Sequence, residues 1–172
     1  MWEKDINIHE VREIRTRTNV YFGVGAIQKI YDIAKDIKSK GIDKVIVMSG
    51  KNAYKATGAW DVVEKALKEN EIGYVNYDQV TPNPTTVHVN DAVKLAKDFG
   101  AKAVLAIGGG SPTDAGKSVA ILLEYPDKTA EELYEFTFTP NKAVPIISIN
   151  LTHGTGTETN RFAVVTNLEK DF

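Results

Sequence analysis

Ala103-Val-Leu-Ala-Ile107 runs directly into Gly108-Gly-Gly-Ser-Pro-Thr-Asp114 and then into Ala115-Gly-Lys-Ser-Val-Ala-Ile-Leu122. An apolar run stopped by glycine suits a buried strand, and Ala115, Val119, Leu122 and Leu123 recur at the i, i+4, i+7, i+8 spacing of one helix face. Ser111 stands where an N-cap belongs, Pro112 at the first helical position, and Asp114 at the third, a variant of the reciprocal capping box. The expected unit is strand, glycine loop, helix. Glycines admit a ligand to the backbone, while the unpaired amides and the positive end of the helix dipole favour a phosphate. Gly108, Gly109, Gly110 and Ser111 are therefore candidates for holding a nucleotide pyrophosphate.

Other readings compete for these residues. A glycine run is often only a turn, although the strand before it and the capping pattern after it argue against that here. Gly116-Lys117-Ser118 matches the end of a nucleoside-triphosphate loop, but the glycine that motif needs five residues before Gly116 is Ser111. Gly116 and Lys117 also fall a turn inside the expected helix, past its free amides. A dinucleotide site fits better.

The rest of the chain alternates strand and helix patterns. Asn19–Phe22, Lys44–Met48, Gly73–Tyr77, Ala103–Ile107 and Val144–Ile149 read as strands. Between them lie helix faces: Ile27, Ile30, Tyr31, Ala34 and Ile37; Val63, Ala66 and Leu67; Val89, Ala92, Val93, Ala96 and Phe99. Strands spaced by helices imply crossover units, hence an α/β, Rossmann-like parallel sheet with flanking helices and ligands beyond the strand C-termini. With 172 residues, 42% hydrophobic and 26% charged, and no linker or repeat, one domain spanning residues 1–172 is expected. A net charge of −2 with scattered Lys and Arg points away from nucleic acid and from an anionic membrane. Met1-Trp-Glu-Lys-Asp5 lacks an apolar stretch of signal-peptide length, so a cytoplasmic location is expected. Zero cysteines exclude disulfides and thiolate metal sites from this sequence.

Gly108-Gly-Gly-Ser-Pro-Thr-Asp114 with Lys117, Pro82-Asn-Pro-Thr85, and Thr152-His-Gly-Thr-Gly-Thr-Glu158 followed by Arg161-Phe-Ala-Val-Val-Thr166 together resemble the signatures of the iron-containing (group III) alcohol dehydrogenases. The resemblance covers essentially the whole chain, as the N-terminal cofactor-binding half of that family; glycerol dehydrogenases and dehydroquinate synthases are similar to the same fold. It implies that Gly109, Gly110 and Ser111 hold the pyrophosphate and that Thr152 and Thr155 line the cofactor cleft. Asp114 would lie near the nicotinamide or cap the helix, and Asn83 and Val164 would be peripheral contacts. Leu151 stands where relatives commonly carry a second threonine.

Relatives also carry an Asp at the end of an early strand, where an acid accepts from the adenosine ribose and repels a 2′-phosphate. By register that position is Gly50, with Lys51 beside it. NADP is therefore the expected cofactor, NAD remaining possible, although Gly50 equally suits a plain turn.

The resemblance further implies hydride transfer between a small alcohol or aldehyde and the nicotinamide, at iron or zinc held by an Asp and a set of His that follow Phe172 in the family. The histidines here, His9, His88 and His153, have no clustered metal spacing and are expected on the surface or at hinges. The chain alone is thus expected to bind cofactor without turnover, with no catalytic or metal residues of its own. A stand-alone nucleotide-binding or self-assembly unit is the alternative. Phe162–Thr166 reads as the first strand of a broken hairpin, whose open edge predicts a homo-oligomer, unless Glu13-Ile-Arg-Thr16 folds back along the sheet.

Overall fold

Four strands lie side by side and parallel, the two central ones being apolar runs buried on both faces, as parallel sheets require, and the two outer ones half-buried. The computed structural model describes residues 12–15, 18–168 and 170. Met1–Asp5, His9, Thr16, Asp171 and Phe172 lie outside them. In chain order the elements are β1 (Arg12–Arg15), β2 (Asn19–Phe22), a short 3-10 turn over Ala26–Lys29, α1 (Ile30–Ser39), β3 (Lys44–Ser49), α2 (Ala53–Ala56), α3 (Ala59–Glu69) and β4 (Gly73–Tyr77). They continue with α4 (Thr86–Phe99), β5 (Ala103–Gly108), α5 (Gly110–Leu122), α6 (Ala130–Tyr134) and β6 (Ile146–Asn150).

The sheet order is β4-β3-β5-β6. Side chains alternate between its faces. Val45, Val47, Leu105 and Ile107 pack with Ala34 and Ile37 of α1 and Val63, Ala66 and Leu67 of α3. Ile46, Met48, Val104 and Ala106 pack with Val89, Ala92, Val93 and Ala96 of α4 and Ala115, Val119 and Leu122 of α5. Register sets Met48 beside Tyr77, Ser49 beside Ile107, and Gly108 beside Asn150, so the strands end level at one edge of the sheet.

Three expectations are corrected. Asn19–Phe22 is a strand, but it pairs antiparallel with β1 in a separate two-stranded ribbon. Its residues are exposed or half-buried, and it runs beside β1, apart from the buried central strands. The Glu13–Arg15 part of the proposed covering segment is accordingly the partner of β2.

Phe162–Thr166 is not a strand. Only Thr166 bridges, its N–H donating to Pro84 O at 2.8 Å while its carbonyl accepts from Thr86 N at 3.0 Å. Phe162 and Val164 are 68% and 75% exposed while Val165 packs against the core, and among the described residues this stretch makes only the Thr166 bridge, so the expected hairpin strand does not form there.

His88 is neither a surface nor a hinge residue in role. Its Nδ1 accepts from the Thr85 N–H at 3.0 Å while its own N–H donates to Thr85 Oγ1 at 3.5 Å, closing a capping box at the start of α4. The spacing Thr85-x-x-His88 carried that signal, with His in place of the usual Glu or Gln.

Candidate functional site

The glycine loop meets the start of α5 at the C-terminal edge of the sheet. Gly109 is the N-cap and the helix begins at Gly110, with no side chain capping it. Ser111, Pro112 and Asp114 therefore occupy the second, third and fifth helical positions rather than the cap, first and third. Proline is still tolerated there, since the first four amides of a helix have no partner within it. A Cβ on Gly108 would lie 2.6 Å from Pro112 Cγ, so the proline ring fills the space that glycine leaves at the strand end.

The loop after β6 lies across the glycines. Leu151 N–H donates to Gly108 O at 2.8 Å, anchoring it. Thr152 Oγ1 sits 2.6 Å from where a Cβ on Gly109 would be, and Thr155 Oγ1 3.2 Å from one on Gly110. Any side chain at Gly109 would displace Thr152. Thr113 Oγ1, bonded to Gly109 O at 3.1 Å and in contact with Ser148 Oγ at 3.0 Å, ties the helix start to β6. The resulting wall is made of first-turn amides and two threonine hydroxyls, a donor-rich set that suits a phosphate.

Asp114 neither caps the helix nor is free. Its Oδ1 accepts from Thr157 Oγ1, and its Oδ2 from the Val164 N–H at 3.2 Å. Lys117 Nζ donates to Thr157 Oγ1 at 2.7 Å and to Phe162 O at 2.8 Å. Burial lowers the Lys117 pKa, opposed by the charges of Asp114 and Glu158. One turn of α5 thus clamps residues 157–164 beside the glycine loop. Thr157, 5% exposed, was not singled out from sequence, because its partners stand some forty residues upstream. On the other side of α5, Tyr134 OH lies 2.7 Å from Ser118 Oγ, and its pKa is pushed up to about 12, chiefly by burial.

Gly50 follows β3, next to Gly108 in register. A Cβ there would lie 3.2 Å from Val80 O, and Val80 N–H donates to Ser49 O at 3.2 Å. Beside it opens a groove of about 300 Å³ lined by Lys51, Asp78, Gln79, Val80, Thr81 and Pro82. Ser49 Oγ is buried without a hydrogen-bond partner. Asn83, at φ 57°, holds the left-handed turn that leads into Pro84 and the bridge with Thr166.

The structure therefore gathers Gly108, Gly109, Gly110, Ser111, Thr152 and Thr155 into one cluster. Asp114 and Val164 are bonded to each other at its flank, and Gly50 and Lys51 lie on the adjoining groove. Asn83 stands apart in its turn. His153 is exposed on the threonine loop, and no group of three His, Asp or Glu able to hold a metal occurs among the described residues.

The profile of the iron-containing alcohol dehydrogenases matches residues 17–171. The chain belongs to this family. Over its full length it is 56% identical to the long-chain primary alcohol dehydrogenase AdhA of Thermoanaerobacter ethanolicus, covering 43% of that protein. It is 34% identical to the NADH-dependent butanol dehydrogenase A of Clostridium acetobutylicum over 88% of this chain and 38% of that one. Among solved structures, the NADH-dependent butanol dehydrogenase A of Thermotoga maritima superposes with a TM-score of 0.82 at 35% identity, covering 95% of this chain and 40% of that one. This iron-containing alcohol dehydrogenase sequence thus spans roughly two-fifths of the length of these relatives.

Proposed function

We propose that this chain is the cofactor-binding part of an alcohol dehydrogenase, seating the pyrophosphate of a nicotinamide dinucleotide on Gly109, Gly110 and Ser111 beneath Thr152 and Thr155. The observation that carries the reading is the uncapped start of α5, faced by two threonine hydroxyls where glycines leave no side chain. The reaction is transfer of a hydride from the carbinol carbon of an alcohol to the oxidised nicotinamide, with loss of the hydroxyl proton, or the reverse from an aldehyde. A primary alcohol is favoured by the name of the 56%-identical relative.

The metal in the family name supplies Lewis-acid polarisation of the alcohol oxygen. The described residues do not fit it, since they gather no ligand set. What these residues do is bind and orient. Helix amides and hydroxyls hold the anion, and Asp114 with Lys117 fixes the segment carrying Val164 beside it.

NADP(H) is the proposed cofactor. Relatives named as NADH-dependent and as NADPH-dependent both occur, so kinship leaves the choice open. Gly50 lacks the acid that would repel a 2′-phosphate, and Lys51 offers a point charge to it. Calorimetric titration of the 172-residue chain is expected to give tighter binding of NADPH than of NADH, while the same sample with iron or zinc and short alcohols leaves nicotinamide absorbance unchanged. Equal affinities, a preference for NADH, or metal-dependent turnover would contradict the reading. Gly50→Asp is expected to move the ratio of affinities toward NADH by about 1–2 kcal/mol. The ratio is the quantity to follow, because the new Cβ, 3.2 Å from Val80 O, also forces that loop to give slightly.

A further inference from the structure

The groove beside Gly50 is lined by a cation and an anion that do not meet. Among the described residues Lys51 forms no hydrogen bond or ion pair, and Asp78 is engaged only by the side-chain amide of its neighbour Gln79. Both charges stand just past strand ends, Lys51 after β3 and Asp78 immediately after β4. Because Met48 pairs with Tyr77 and Ser49 with Ile107, Gly50 lies between Asp78 and the glycine loop. Parallel strands are about 4.8 Å apart, so Asp78 lies two strand spacings, roughly 10 Å, from the end of β5. A ligand anchored at the start of α5 and extending along the sheet edge crosses Gly50, where no side chain stands in its way, and then meets this groove.

We propose that Asp78 is a specificity-determining residue that reads the adenosine ribose, in opposition to Lys51; the inference rests on the dinucleotide reading above. The carboxylate accepts from the 2′- and 3′-hydroxyls of NAD(H), the task left undone at Gly50. Toward NADP(H) the same carboxylate repels the 2′-phosphate that Lys51 attracts. The preference for NADP(H) is therefore held down by Asp78 and held up by Lys51, so removing either charge swings it in opposite directions. Asp78 is half-buried and Lys51 exposed, so each effect is that of a partly solvated charge: about three- to tenfold in the ratio of affinities, shrinking as salt is added.

The test is the dissociation constants of NADPH and NADH for the 172-residue chain, for Asp78→Asn and for Lys51→Gln, at low and high salt. Asp78→Asn is expected to tighten NADPH and weaken NADH, and Lys51→Gln to do the reverse. If Asp78→Asn changes both constants by the same factor, or neither, Asp78 does not read the ribose, although the dinucleotide reading stands. If the unaltered chain binds neither cofactor, both fall together.

Discussion

Ser111→Glu is expected to weaken NADPH binding by about a hundredfold or more while leaving the chain folded. Ser111 is the second residue of α5, in the turn whose amides are uncapped. A carboxylate there is favourable to the helix itself, by about 0.3–1 kcal/mol through the macrodipole. It fills the space meant for the phosphate, and two like charges 4 Å apart near a protein surface repel by about 4 kcal/mol, more than the roughly 2.8 kcal/mol that a hundredfold loss requires. Calorimetry gives the affinity and a thermal melt gives the fold. Unchanged affinity in a variant with an unchanged melt would mean that the anion sits elsewhere.

Gly116→Val is expected to destabilise the chain by about 2–3 kcal/mol, as overpacking a filled core does. An exposed helical glycine behaves oppositely, since replacing it by alanine gains up to about 1 kcal/mol of helix propensity. Here the added Cβ would lie 3.2 Å from Ala106 Cβ and 3.3 Å from Val104 Cγ1, and valine adds two methyl groups beyond it. Gly116 lets α5 lie close on β5, and that closeness positions the glycine loop. Urea unfolding measures the loss, with weaker NADPH binding as α5 is pushed from the sheet. A variant as stable as the parent would show that the helix stands off the sheet further than the structure has it.

The sheet was legible because β3 and β5 are bounded apolar runs, β4 and β6 are rich in aromatic and β-branched residues, and the helices between them carry apolar faces at helical spacing. The glycine loop was legible for the same reason, since its strand and helix are both among the most buried elements. Its cap was misplaced because Ser111, Pro112 and Asp114 imitate a capping pattern, whereas glycine, also acceptable as an N-cap, took that role at Gly109. Phe162–Thr166 has strand-like composition, but its polar backbone is satisfied by Asp114 and Lys117, far upstream, and no local pattern reports such partners. The clamp through Thr157 and the opposition of Lys51 and Asp78 were equally out of reach. The first joins helix α5 to a segment some forty residues downstream and the second joins loops after two different strands, so only the folded sheet and the helix packed on it bring the partners together.

The seat of the cofactor pyrophosphate is read most directly from backbone amide resonances of the isotopically labelled chain during titration with NADPH. The account predicts the largest shifts at Gly109, Gly110 and Ser111, with Thr152 and Thr155 moving at the same ligand concentration. A second groove, of about 310 Å³, lies between α4 and the start of α6 and carries Lys94, Lys97 and Lys128. Shifts confined to that basic groove, with the start of α5 silent, would contradict the account.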